Sequence, residues 1–247
     1  MLEGLLAQAF RILAVVRRQL VAATVVTLIT SIGGYIVAPA VLRQLVGPDR
    51  ALSQLVFLSP AEAFMAQIKL GVGIGVIAAL PFLFVFAWQG MRPFLPPRDR
   101  RMGWWLVPTA MILFGLGSGF AYFGMIPMAM RFLLSFESAG LQPMISVSSY
   151  VGFLIWMVVP SGVLFEMPLV VWALTRSGIL TPQWLNAKRG YAILLIAIIA
   201  AVLTPADVFS MIVMALPMVA VFEASILVSR LAARRRRRRL ARELSEA

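Results

Sequence analysis

Long apolar runs alternate along the chain with short basic ones, and this spacing is set by the thickness of a bilayer. The runs predict membrane spans at about Leu20 to Ala38, Leu70 to Trp88, Trp104 to Met130, Val151 to Leu174, Tyr191 to Leu203 and Val208 to Val228. The fifth is ~20 Å long as a helix, and only Thr204 to Asp207 link it to the sixth. That pair is therefore expected to fall short of the ~30 Å hydrocarbon core and to thin the bilayer locally. Ahead of the spans, Met1 to Val16 places Leu2, Leu6, Phe10 and Leu13 on one helical face and Glu3, Gln8, Arg11 and Arg18 on the other, an interfacial pattern. Val15 breaks it by projecting among the polar positions. The expected class is an all-α integral membrane protein. Residues 1–18 form an interfacial segment, 19–230 a six-helix transmembrane domain and 231–247 a basic tail.

Orientation follows from the basic residues, because loops rich in Lys and Arg stay cytoplasmic. The N-terminal segment (Arg11, Arg17, Arg18), the second loop (Arg92, Arg98, Arg100, Arg101), the fourth loop (Arg176, Lys188, Arg189) and the tail (Arg230, Arg234 to Arg239, Arg242) hold all but four of the 22 Lys and Arg. Arg43, Arg50, Lys69 and Arg131 remain for the other side. Both termini are thus expected in the cytoplasm of a multi-pass protein of the cell's inner membrane, with a long first outer loop from Pro39 to Gln67.

Composition narrows the chemistry. The 247 residues are 61% hydrophobic and 13% charged, against about 25% charged in soluble domains, and the mean hydropathy is +0.93. Without His or Cys, the usual zinc sites, His or Cys haem ligation, thiol nucleophiles, Ser-His triads and disulfides are excluded. No metal, cofactor or bond-cleaving catalysis is expected. The net charge of +12 is concentrated in Arg234 to Arg239, which suits an anionic lipid surface better than nucleic acid. No short apolar core followed by a small-residue cleavage site opens the chain, so the first span is expected to be retained.

Against this background one acid is conspicuous. Glu166 falls inside the fourth span, ~15 Å before Arg176 and ~24 Å after Tyr150 by helical rise. An ionised side chain at that depth costs roughly 3 kcal/mol, so it is expected to face protein or a water-filled cavity. Pro160 and Pro168 flank it and leave the carbonyls of Trp156 and Leu164 without helical donors, which bends the helix. Gly71-Val-Gly-Ile-Gly75 sits in a span with no preceding strand, so it reads as helix packing rather than a dinucleotide loop, as do Gly115 and Gly119. Asp99 is the one acid among the arginines of the proline-rich second loop. Its neighbours can simply neutralise it, or it can receive a guanidinium at the membrane face. Asp207 is placed to cap the sixth helix, and Glu223 is expected to reach Arg230 or water.

Several separated motifs then carry a resemblance. Pro60-Ala-Glu62-Ala-Phe with Ile68-Lys-Leu70, the loop Pro93 to Arg101, Phe120-Ala-Tyr122-Phe123, Phe165-Glu166-Met-Pro168, Arg189-Gly-Tyr191, Leu203-Thr-Pro-Ala-Asp207-Val-Phe209 and Leu216-Pro-Met218 occur in that order. Over roughly residues 12 to 230 the chain resembles TatC, the multispanning receptor of the twin-arginine protein translocase. The resemblance implies a concave, glove-like bundle of six helices with short helices 5 and 6. It also implies transport of folded proteins driven by the protonmotive force. The implied partners are TatA- and TatB-like single-span subunits, twin-arginine signal peptides, membrane lipids and other copies of the chain, with no nucleic acid. By the same resemblance Asp99, Pro93, Leu95, Arg17 and Arg100 belong to a signal-peptide site. Glu166 and Pro168 would offer an intramembrane contact to partner helices, and Pro39, Glu62 and Asp207 would be structural on the outer face.

Two departures bear on the signal-peptide site. The family's His-Leu-x-Glu-Leu-Arg pattern is here Arg11-Ile-Leu-Ala-Val15-Val-Arg17, so Val15 replaces the acid. The family's Phe-x-x-Pro-Gly-Leu followed by Glu-Arg is here Gly90-Met-Arg-Pro93-Phe-Leu95 followed by Asp99-Arg100, which either leaves Asp99 with more of the arginine recognition or weakens that recognition. A rival of another class is a proton-coupled small-solute transporter using Glu166, but no internal repeat accompanies that single deep acid.

Overall fold

A computed structural model describes residues 2–45, 55–56, 59–91, 103–135, 145–204 and 208–245. In order these form α1 (Leu2–Leu45), β1 (Leu55–Val56), α2 (Pro60–Met91), α3 (Gly103–Phe120), a π-helical turn (Ala121–Met125), α4 (Ile126–Leu134), β2 (Ile145–Ser146), α5 (Val147–Phe165), α6 (Met167–Ser177), α7 (Pro182–Ala187), α8 (Arg189–Leu203) and α9 (Val208–Ser245). Among the described residues five stretches are long and apolar enough to cross a bilayer: Arg17–Leu45, Ala61–Gly90, Trp105–Phe132, Val147–Ser177 and Met211–Arg234. The apolar α8, at 15 residues, is shorter. Packing gathers the chain into two compact units whose boundary falls within α3 and α5.

The first unit comprises Met1–Pro93, Gly103–Val107 and Ser138–Ile155. Its main contact is α1 on α2, and glycine makes it possible. A Cβ at Gly71 would stand 2.7 Å from the Cα of Tyr35, and Gly34 and Gly75 face α2 and α1 backbone just as closely. The hydroxyls of Thr27, Thr30 and Ser31 are satisfied within α1, donating to Ala23 O (2.8 Å), Val26 O (2.9 Å) and Thr27 O (2.7 Å), as a lipid-facing helix requires. Beyond this contact Ala38, Ala66, Leu70, Val147 and Val151 form a buried cluster, with Val41, Leu42 and Leu45 packed against it.

That cluster corrects the expected outer loop. Pro39 lies inside α1, because the apolar residues after it gain more by packing than the helix loses through one missing N–H. α1 therefore continues to Leu45, and α2 already begins at Pro60. The segment between α1 and α2 also pairs in parallel, Leu55 with Ile145 and Val56 with Ser146, a small strand contact that the apolar periodicity did not foretell. At its N-terminal end α1 runs from Leu2 without a break through the expected interfacial segment.

The second unit comprises Phe94–Met102, Pro108–Glu137 and Trp156–Ala247. Here α3 crosses the latter half of α5 at Gly117 and Gly162. A Cβ on Gly117 would meet Ser161 O and the Phe165 ring at 2.7 Å, and one on Gly162 would strike Phe114 and Ser118. Ser118 Oγ donates to Val158 O across this contact (3.3 Å). Gly115 and Gly119, expected to pack, have nothing within 4 Å of a would-be Cβ. The expected packing of Gly115 and Gly119 is therefore not found, and the close approach in α3 falls at Gly117 instead. The π-helical turn follows, with the Ile126 N–H bonded to Ala121 O. It precedes Pro127, whose missing N–H breaks the regular α ladder there.

The last helices also sharpen the picture of the final pair. The shortness resides in α8. α9 is a single helix of 38 residues, because it continues past its apolar stretch into the arginine-rich tail.

Candidate functional site

Glu166 occupies the one-residue joint between α5 and α6. Pro168 sets that joint: at the second position of α6 it needs no helical acceptor, but it cannot continue α5. Pro160 stays within unbroken helix, so the bend expected around both prolines is a break at one. The Glu166 N–H bonds to Val163 O (3.1 Å), and Glu166 O accepts from Leu169 and Val170 (3.0 Å each). This tight turn carries the chain across the joint with its backbone satisfied.

The side chain is not satisfied in the same way. Glu166 is 7% exposed, and its Oε1 has no hydrogen-bond partner among the described residues. Phe165, stacked on Phe120 at 6.1 Å, and the Gly117–Gly162 crossing lie immediately before it. Close helix packing therefore buries the acid with one of its oxygens unpaired among the described residues.

At the basic end of this unit lies an arrangement that the sequence reading missed. Glu223 on α9 pairs with Arg189 at the start of α8, Nε to Oε1 at 2.6 Å. Arg230, the expected partner, instead donates from Nη2 to Asn186 Oδ1 on α7 (3.3 Å). Hairpin arithmetic held the signal. Leu203 closes α8 fourteen residues after Arg189, and Val208 opens α9 fifteen residues before Glu223, so two antiparallel helices joined by a short link bring the two to one level. Nearly two turns further along α9, Ser229 Oγ and Thr175 Oγ1 meet in a buried hydrogen bond of 2.8 Å. Gly178, with φ 85°, ends α6 in the left-handed conformation that favours glycine, and Thr181 Oγ1 accepts from Trp184 N–H (3.3 Å) to start α7.

The remaining expected residues are distributed as follows. Arg17 is an exposed residue of α1 in the first unit. Glu62 stands in the first turn of α2, its N–H bonded to Ser59 O (3.1 Å), where a carboxylate complements the helix dipole. Pro93, Leu95, Asp99, Arg100 and Asp207 lie outside the described residues.

Comparison with known proteins agrees with this architecture. Residues 11–217 match the family model of TatC, Sec-independent protein translocase protein. The TatC protein of Carboxydothermus hydrogenoformans is 34% identical over 223 residues, covering 90% of this chain and 92% of that protein. That of Aquifex aeolicus is 35% identical over 186 residues, covering 74% and 77%. A crystal structure of the twin-arginine translocase receptor TatC superimposes with a TM-score of 0.79 at 32% identity, covering 90% of this chain and 99% of that one. With six apolar helices, a broken fourth span and similarity along nearly its whole length, this multi-pass membrane protein belongs to the TatC family.

Proposed function

We propose that the chain is the receptor subunit of a twin-arginine translocase, admitting folded cargo proteins to a protonmotive-force-driven transport step in the inner membrane. The observation that carries this is similarity to TatC relatives and to a solved TatC receptor over nine-tenths of the chain. Asp99, with Pro93, Leu95 and Arg100 beside it and Arg17 from the N-terminal helix, receives the paired arginines of the signal peptide. A carboxylate can take a guanidinium through two parallel hydrogen bonds. Since Val15 replaces the family's N-terminal acid, Asp99 carries the larger share. Both termini face the cytoplasm, in keeping with the distribution of Lys and Arg.

Within the membrane Glu166 serves as a polar contact for a TatA- or TatB-like single-span helix or for an inserted signal peptide. Its buried, unpartnered Oε1 supports that role, because an incoming donor would remove a desolvation penalty of about 1–3 kcal/mol.

The test is export of a folded twin-arginine substrate in cells that lack their own receptor. The chain should restore export, and Asp99→Asn should lower both export and signal-peptide crosslinking near residue 99 by roughly tenfold, the scale of one charge-assisted hydrogen bond. Full export and crosslinking by Asp99→Asn would remove Asp99 from the site, and absence of any export by the parent chain would count against the receptor reading itself.

A further inference from the structure

We propose that α7 and the emerging end of α9 form a binding surface for the headgroups of anionic phospholipids. The proposal goes beyond the receptor reading and needs from it only the cytoplasmic placement of this rim. α9 leaves its apolar stretch at Arg234 and continues as helix to Ser245, so the arginine run 234–239 begins where the apolar stretch ends. At ~1.5 Å of rise per residue the run occupies ~8 Å, about one screening length at physiological salt. Six consecutive helical positions also go fully round the axis, so no particular rotation of α9 is needed for part of the run to fall on the side of the headgroup plane.

The neighbouring elements give the surface a second, apolar half. Thr175 with Ser229 and Asn186 with Arg230 tie α6 and α7 to this level of α9. On the tied segment Trp184 is 53% exposed and Ile179 63%. An exposed indole beside exposed cations is costly in water and settled at the lipid headgroups, where the ring meets acyl chains and the charges meet phosphate. Glu223 already engages Arg189, which leaves Lys188, Arg230 and Arg234, all exposed, to face the lipid. An RNA would also meet the arginines, but it has no acyl phase to cover Ile179 and Trp184. The family match ends at residue 217, so the arginine run lies beyond the part of the chain that it covers.

The full chain, reconstituted in an equal mixture of phosphatidylcholine and phosphatidylglycerol and released in mild detergent, can be assayed by native mass spectrometry for retained lipid. Phosphatidylglycerol should be preferred by roughly tenfold or more. Arg234→Gln through Arg239→Gln together should bring the two lipids close to parity, and the same positions changed to Lys should keep the preference and report that the fold is intact. Trp184→Ser should weaken it. The proposal is overturned if the glutamine set keeps the preference, if the lysine set loses it, or if polyuridylate or inorganic phosphate displaces the retained lipid. Because the chain has no Cys, Ser245→Cys offers a single label site. Reaction with a membrane-impermeant maleimide only after the membrane is opened supports the cytoplasmic placement. Reaction on intact cells would overturn that placement independently of the lipid result.

Discussion

At the scale of single residues, Glu166 shows how a costly group can be informative before any geometry is known. Its depth and the proline two positions on were enough to expect a bent span with a protein-facing acid, and the joint between α5 and α6 is where that bend falls. Which proline broke the helix was not legible, because Pro160 and Pro168 remove the same kind of bond and only packing decides where the strain is released. If the role of Glu166 is to hydrogen-bond an incoming polar group, Glu166→Gln should retain at least about half of export, since an amide offers a similar oxygen. Glu166→Leu should lower export and co-purification of the single-span partner by roughly tenfold or more, the loss expected when a buried hydrogen bond is removed. Equal export by the two variants would separate the acid from any hydrogen-bonding role. The pairing of Glu223 was missed for a different reason: a wheel drawn for one helix cannot show what the next helix brings alongside, although the residue count across the link could.

Among the elements, hydrophobic runs located the spans but not the faces by which they pack. Small residues four apart marked α2 and α3 equally, yet Gly71 and Gly75 touch backbone while Gly115 and Gly119 face open space. Length and apolarity are properties of a segment, whereas a contact depends on its rotation, which a span apolar all round does not encode. The structure therefore separates two glycine classes that the sequence treats alike. Gly117→Val and Gly162→Val should destabilise the α3–α5 crossing by about 1–3 kcal/mol or more, the range for forcing extra carbons into a filled contact, and lower the thermal midpoint of the detergent-solubilised protein followed by size-exclusion chromatography. Gly115→Ala and Gly119→Ala should leave that midpoint unchanged or raise it slightly, because alanine favours helix and nothing stands in its way. A loss of stability in the alanine pair comparable to that in the valine pair would mean that the outward face is itself covered in the folded protein.

For the whole molecule, the six-span order was legible because bilayer thickness acts on the entire chain at once, and the bias of Lys and Arg predicts both ends on one side of the membrane. The outer loop was drawn too long for the complementary reason: Pro39 is a local stop signal, and the buried cluster around Ala38, Leu70 and Val151 outweighs it. Topology can therefore be tested without reference to cargo. In a chain with no native Cys, single substitutions at Ser59, before α2, and at Ser135, after α4, should react with a membrane-impermeant maleimide on intact cells. Substitutions at Ser177, after the broken fourth span, and at Ser245 should react only once the membrane is opened. The short α8 makes the arrangement sharper still, since a 15-residue helix covers only ~22 Å and returns through a link of four residues. If α8 failed to cross, Ser177 and Ser245 would lie on opposite sides, so the same reactivity at both positions is the observation on which the sixth crossing stands.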